Sequence, residues 1–134
     1  MKKLLGILSI VMALSLSLFA GDKSPLFTNI TSDKEHRTLM AIQFSLKMHE
    51  KGHPLTVYLN DEGVKLASKE NKQYKEFQSK LLEGIKKGVK VYICPMCMKE
   101  YKIEGSTLID GLKIGNANLL EKAIFADDTR VISW

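Results

Sequence analysis

This 134-residue sequence has few thiols and imidazoles, with two cysteines and three histidines. That scarcity excludes several classes. Covalent haem attachment needs C-x-x-C-H, and Met98 stands where the histidine would be. A structural zinc site needs a second ligand pair, and His36, His49 and His53 have no pairing spacing with the cysteines. All three lie in the first helical region and are expected to face solvent or cap backbone. No G-x-G-x-x-G or G-x-x-x-x-G-K-[ST] loop is present, so dinucleotide and P-loop nucleotide binding are disfavoured. Nothing signals a Ser-His-Asp arrangement. There is no internal repeat and no low-complexity linker. No resident cofactor and no metal are expected from this set.

Charge is equally unassertive. The formal net charge is +5. Without Lys2 and Lys3 it falls to about +3, which is weak ground for any partner. The densest basic run, Lys86-Lys87-Gly88-Val89-Lys90, reads as a helix C-terminus answering the macrodipole rather than a nucleic-acid patch. No nucleic acid is expected as a partner.

One apolar run stands out, Leu4 to Phe19. Met1-Lys2-Lys3 precedes it and Leu18-Phe19-Ala20 closes it before the polar Gly21-Asp22-Lys23. This is the pattern of a secretory signal peptide over residues 1–20, cleaved after Ala20. The run is shorter than the ~20 residues that span a bilayer comfortably. No cysteine follows it to carry a lipid. The mature chain, 21–134, is then a single domain, periplasmic, with no further membrane segment. In an oxidising compartment two thiols are either joined or actively kept reduced.

Strands and helices alternate along that domain. Leu26–Ile30 reads as a short central strand. Ser32 and Glu35 have capping-box spacing, followed by a helix to about Glu50 that Gly52 stops. Its apolar residues form two ridges, Leu39, Ile42, Leu46 and Met40, Phe44, Met48. Pro54 opens a second strand to Leu59, and Asn60-Asp61-Glu62-Gly63 is turn chemistry. Tyr74, Phe77, Leu81, Leu82 and Ile85 mark an amphipathic helix within 71–87, ended by Gly88. Val89 to Ile93 is a third strand. It runs into Cys94-Pro95-Met96-Cys97, where a helix starts with proline in its first turn. Residues 107–114 fit either a strand or a helical turn. Asn118 and Glu121 suggest a cap for a short helix, and Thr129 to Trp134 a last strand. This order predicts an α/β three-layer sandwich around a mainly parallel sheet of about four to five strands.

In such a sheet the working groups collect beyond the carboxyl ends of the strands, and Cys94 sits at one. A helix start supplies free amides and a positive dipole end. Lys99 and Lys102 add positive potential. Each lowers a thiol pKa. The spacing also lets Cys97 attack a group carried on Cys94. Cys94 and Cys97 are the candidate catalytic residues. The pair fits sulfur transfer through a persulfide, dithiol redox chemistry, Cu(I) capture together with Met96 and Met98, or a plain disulfide.

The segments LFTNITSD, HPLTVYLNDEGVKLA, GVKVYICPMCMKEY and ANLLEKAIFADDTRVISW, in this order, resemble the DsrE/DsrF-like sulfur-relay family over nearly all of the mature chain. The resemblance implies a compact α/β domain that assembles as a homo-oligomer, a trimer or hexamer. It implies sulfane sulfur carried on a cysteine just past a strand, here Cys94, exchanged with a donor or acceptor protein. Cys97 would resolve it. The export signal and the C-P-x-C motif set the chain apart from the general pattern, as an exported subgroup.

Overall fold

The structure, a computed structural model, describes residues 23–134. The signal peptide and its cleavage after Ala20 lie outside the described residues. Five strands, β1 (Leu26–Ile30), β2 (Leu55–Leu59), β3 (Lys90–Ile93), β4 (Lys113–Ile114) and β5 (Arg130–Ser133), form one sheet in the order β4-β3-β2-β1-β5. Every pairing is parallel. Four helices connect them: α1 (Glu35–Glu50), α2 (Lys75–Lys86), α3 (Pro95–Glu100) and α4 (Ala117–Ile124). The expected α/β architecture and its sheet are therefore present. The ambiguous 107–114 segment divides into a short 3-10 turn, Gly105–Thr107, and the two-residue β4.

Alternation along the strands separates two faces. Leu26, Ile30, Leu55, Leu59, Val57, Val91 and Ile93 join Ala41 and Ile42 of α1 and Phe77 and Leu81 of α2 in the main core. The other face carries Phe27, Tyr58 and Tyr92, with the Phe27 and Tyr58 ring centroids 6.2 Å apart. Helix α4 covers this side loosely. None of its residues is buried, and a cavity of about 480 Å³ lies between Leu119 and Ala123 of α4 and Lys90 and Tyr92 of the sheet.

Three local expectations are corrected. Ser32 does not close a capping box with Glu35. Its Oγ accepts the Lys34 amide at 3.1 Å, and α1 starts from Lys34 with no side-chain cap. Helix α4 is capped by Asn116, not Asn118: the Asn116 Oδ1 accepts the Leu119 amide at 3.0 Å. The fully buried stripe of α1 is Thr38, Ala41, Ile42 and Ser45, with only Ile42 drawn from the two apolar ridges. Leu39, Leu46 and Met48 pack beside it, and Phe44 stays 43% exposed. Small side chains bring the helix close to β1, where the Thr28 and Ser45 hydroxyls meet at 2.8 Å in the core.

Candidate functional site

The sheet's ladder extends one residue past three strands, and this extension builds the site. The Asn60 amide donates to the Ile30 carbonyl at 3.0 Å, Cys94 to Leu59 at 2.9 Å, and Gly115 to Ile93 at 2.9 Å. Asn60, Cys94 and Gly115 therefore stand side by side on the carboxyl rim. The Asn60 to Ala67 segment turns over that rim. It can do so because Gly63 lies against the Ile30 carbonyl, where any Cβ would collide with backbone. The Asn60 Oδ1 accepts the Asp61 amide at 2.8 Å and opens the 3-10 turn Asp61–Ala67. Asp61 itself has φ 47°, a left-handed conformation that non-glycine residues adopt only when their surroundings hold them there.

Cys94 is extended, with φ −70° and ψ 116°, and caps α3: its Sγ accepts the Cys97 amide at 3.4 Å. Pro95 occupies the first turn, where its missing N–H is not needed. Both cysteines are free thiols, Cys94 buried at 3% exposure and Cys97 half-buried. Burial works to raise the Cys94 pKa. The Tyr58 hydroxyl, the Cys97 thiol and the amides of Cys97 and Met96 outweigh it and hold the sulfur below the ordinary thiol range. Cys97 moves the other way. Burial and the adjoining Cys94 sulfur push it up, against the pull of the Asp61 amide. Two thiols with opposed shifts suit a division into nucleophile and proton-bearing partner.

The neighbouring polar groups form a second ring. The Cys97 Sγ lies 3.1 Å from the Asn60 Oδ1 and accepts the Asp61 amide at 3.3 Å. The Tyr101 hydroxyl donates to the Asp61 carboxylate at 2.8 Å, which raises the tyrosine to about 12. The Lys65 ammonium sits 4.9 Å over the Tyr101 ring. It pairs with Asp33 at 3.0 Å, and Asp33 also accepts the Tyr74 hydroxyl at 2.6 Å.

Cys94 and Cys97 are brought together as the spacing predicts. Lys99 and Lys102 are exposed, and the groups acting most strongly on Cys94 include no lysine. Met98 is buried in the core while Met96 is 79% exposed, so the four sulfurs do not converge. Among the described residues no cluster of three or more His, Cys, Asp and Glu could hold a metal ion. His49 and His53 tie backbone together, His49 at the Lys87 and His53 carbonyls and His53 at the Ser24 carbonyl. Tyr58, Asn60 and Tyr101 were not singled out by sequence reasoning. The available signal was the strand alternation that puts Tyr58 on the same side as Cys94, two strand-end positions apart across the ladder.

The family model of the DsrE/DsrF-like family matches residues 26–133. No curated protein matches the chain. Among solved structures, a protein of unknown function from Methanobacterium thermoautotrophicum superposes with a TM-score of 0.70 at 16% identity, covering 83% of this chain and 99% of that one. The ychN protein from E. coli superposes with a TM-score of 0.62 at 16% identity, covering 84% and 100%. Both likenesses are of fold.

Proposed function

The chain belongs to the DsrE/DsrF-like family, and from that premise we propose that it binds or transfers sulfane sulfur as a persulfide on Cys94, with Cys97 as the resolving thiol. The observation that carries the reading is the Cys94 sulfur, favoured as an anion by Tyr58 and Cys97 at the sheet's carboxyl rim. The Cys94 thiolate attacks the terminal sulfur of a donor persulfide R–S–SH. The donor's S–S bond breaks, R–S⁻ leaves, and Cys94 carries S–SH. An acceptor thiolate takes the terminal sulfur by the same exchange, which regenerates the Cys94 thiolate. No net oxidation or reduction occurs.

The proposal includes the setting: an exported, periplasmic protein released from its leader after Ala20, working as a homo-oligomeric trimer or hexamer with a donor or acceptor protein. N-terminal sequencing of the periplasmic fraction tests the location, and light scattering the assembly. Intact mass after exposure of the reduced protein to inorganic polysulfide tests the chemistry. Gain of one sulfur atom, lost in Cys94→Ser, supports it; no gain on the reduced wild type overturns it. A dithiol oxidoreductase is the second reading, favoured by the contact between the Cys97 thiol and Cys94. It predicts turnover of a disulfide substrate by the reduced pair without any sulfur adduct.

A further inference from the structure

Among the described residues, the cavity under α4, the groove lined by Phe44 and Leu46 of α1 and Lys80 and Gly84 of α2, and the acceptor at Cys97 remain outside that reading. Only the last has atoms already arranged for a specific event. We propose that Asn60 is a positioning residue that holds Cys97 as a protonated thiol while Cys94 carries sulfur, so that transfer to an acceptor comes first and resolution by Cys97, with loss of hydrogen sulfide, follows only when no acceptor arrives. This rests on the sulfur-carrying reading above.

A persulfide beside a second thiol has two fates. An external acceptor can take the terminal sulfur. Alternatively the Cys97 thiolate attacks the inner sulfur, bonded to the Cys94 Cβ. The S–S bond of the persulfide then breaks, hydrosulfide leaves with the electron pair, and a Cys94–Cys97 disulfide forms. The proton balance is Cys97–SH plus Cys94–S–SH giving the disulfide plus one molecule of hydrogen sulfide. An external dithiol must then reduce the disulfide. The route requires Cys97 to lose its proton first, because a thiol is a poor nucleophile.

The structure sets one Cys97 proton against two acceptors. While Cys94 is an anion, it competes for that proton. Once Cys94 carries sulfur, its Sγ is no longer the anion, because the charge moves out to the terminal sulfur, and the Asn60 Oδ1 at 3.1 Å remains fixed beside Cys97. The amide orientation is determined by its other contact. The Asp61 N–H donates to the same atom at 2.8 Å, so the atom is the oxygen, not the nitrogen. Asn60 cannot easily swing away. It caps the Asp61–Ala67 turn, Asp61 is held left-handed, and the Tyr101 hydroxyl pins the Asp61 carboxylate. The opposing Asp61 amide, 3.3 Å from the Cys97 sulfur, favours the thiolate. Removing the Asn60 oxygen therefore leaves Cys97 facing the Asp61 amide, with the Cys94 sulfur as its acceptor in the reduced protein and no fixed acceptor once Cys94 carries sulfur.

The test has two arms, both on the full chain and on the variants Asn60→Ala and Asn60→Asp. In the first, peptide-resolved iodoacetamide labelling across pH follows each cysteine of the reduced protein separately, with no persulfide present. In the second, protein loaded with inorganic polysulfide and freed of excess is followed for sulfide release near neutral pH. Asn60→Ala is expected to move the Cys97 labelling midpoint to lower pH and speed sulfide release several-fold. Asn60→Asp, which retains an acceptor oxygen, is expected to do neither. Should Asn60→Ala fail to fold, Asn60→Ser replaces it, since its hydroxyl can still cap the turn but is one atom shorter toward Cys97. An unchanged Cys97 midpoint in folded Asn60→Ala or Asn60→Ser overturns the inference, as does a shifted midpoint in either with unchanged release. Failure of the wild type to load sulfur removes the function reading instead, and the labelling arm still decides the Asn60–Cys97 link.

Discussion

The Tyr58 hydroxyl and the Cys94 sulfur act on each other across neighbouring strand ends, and each changes the other's proton affinity. Tyr58 is opposite Tyr92 in the ladder, and Cys94 lies two residues beyond Tyr92 on the same side. Burial and the sulfur raise the phenol well above its usual range, so Tyr58 remains a donor at any physiological pH. The donor in turn favours the sulfur's anionic form.

Tyr58→Phe removes that donor and preserves the ring. The Cys94 labelling midpoint is expected to rise, and its iodoacetamide rate near neutral pH to fall about 3- to 10-fold, the change that half to one pKa unit gives. In the wild type, Cys94 reactivity should persist as pH drops below the ordinary thiol range and disappear only when pH falls through its lowered value. Stopped labelling with mass spectrometry across pH measures both.

Burial predicts a size filter. Cys94 is 3% exposed and Cys97 half-buried. A bulky maleimide should label Cys97 at a rate near that of a small one and Cys94 at least about tenfold slower, because the Cys94 sulfur must first be uncovered. Equal rates at the two positions for both reagents would contradict the closed arrangement. Peptide-resolved labelling again supplies the measurement.

The buried hydroxyl pair behind α1 predicts an asymmetry. Ser45 donates to the Ala41 carbonyl at 2.7 Å, so its single proton is committed and Thr28 is the donor between the two. Ser45→Ala strands the Thr28 hydroxyl in the core and is expected to destabilise by about 1–3 kcal/mol. Thr28→Val leaves Ser45 bonded and is expected to remove about 1 kcal/mol or less. In urea denaturation the double variant should be less damaged than the sum of the two.

Asp33 predicts a pH dependence of stability. Burial raises its pKa, but the Tyr74 hydroxyl and the Lys65 ammonium together hold it below the usual carboxylate value. A depressed folded-state value contributes stability above the unfolded pKa, and that stability is lost as pH falls through the folded value. Asp33→Asn is therefore expected to be about 1–2 kcal/mol less stable than wild type near neutral pH. The difference should fade below about pH 4. Urea midpoints at the two pH values give the comparison.

Much of the fold was legible because it rests on local pattern. Alternating apolar strands and the Phe77, Leu81 periodicity need no distant partner to be read, and both elements stand where expected. The position of Cys94 followed from the same reading, as a residue after a β-branched strand and before a proline. Caps were misplaced because several polar residues near each helix start offer equivalent spacing. Ser32 and Asn118 lost to geometries decided by the preceding turn. The close approach of α1 was illegible because Thr38 and Ser45 look like surface residues until a partner on β1 receives them. Tyr58 and Asn60 meet the cysteines only through the ladder and its turn, Asn60 across 37 residues of sequence, and Tyr101 joins the ring through Asp61, 40 residues away.

The position of β1 has a consequence for how the molecule assembles. Its two flanks are taken by β2 and β5, and the bond between Asn29 and Ser133 spans 104 residues. Such a distant pairing is slow to find, because a long chain must loop back before the contact stabilises anything. A nascent polypeptide emerging from a ribosome can pair β1, β2 and β3 early, yet one backbone edge of β1 stays open until the last strand arrives. During that interval the exposed edge is a template for other chains. A holding chaperone that binds extended segments would shield it best just before the final residues emerge.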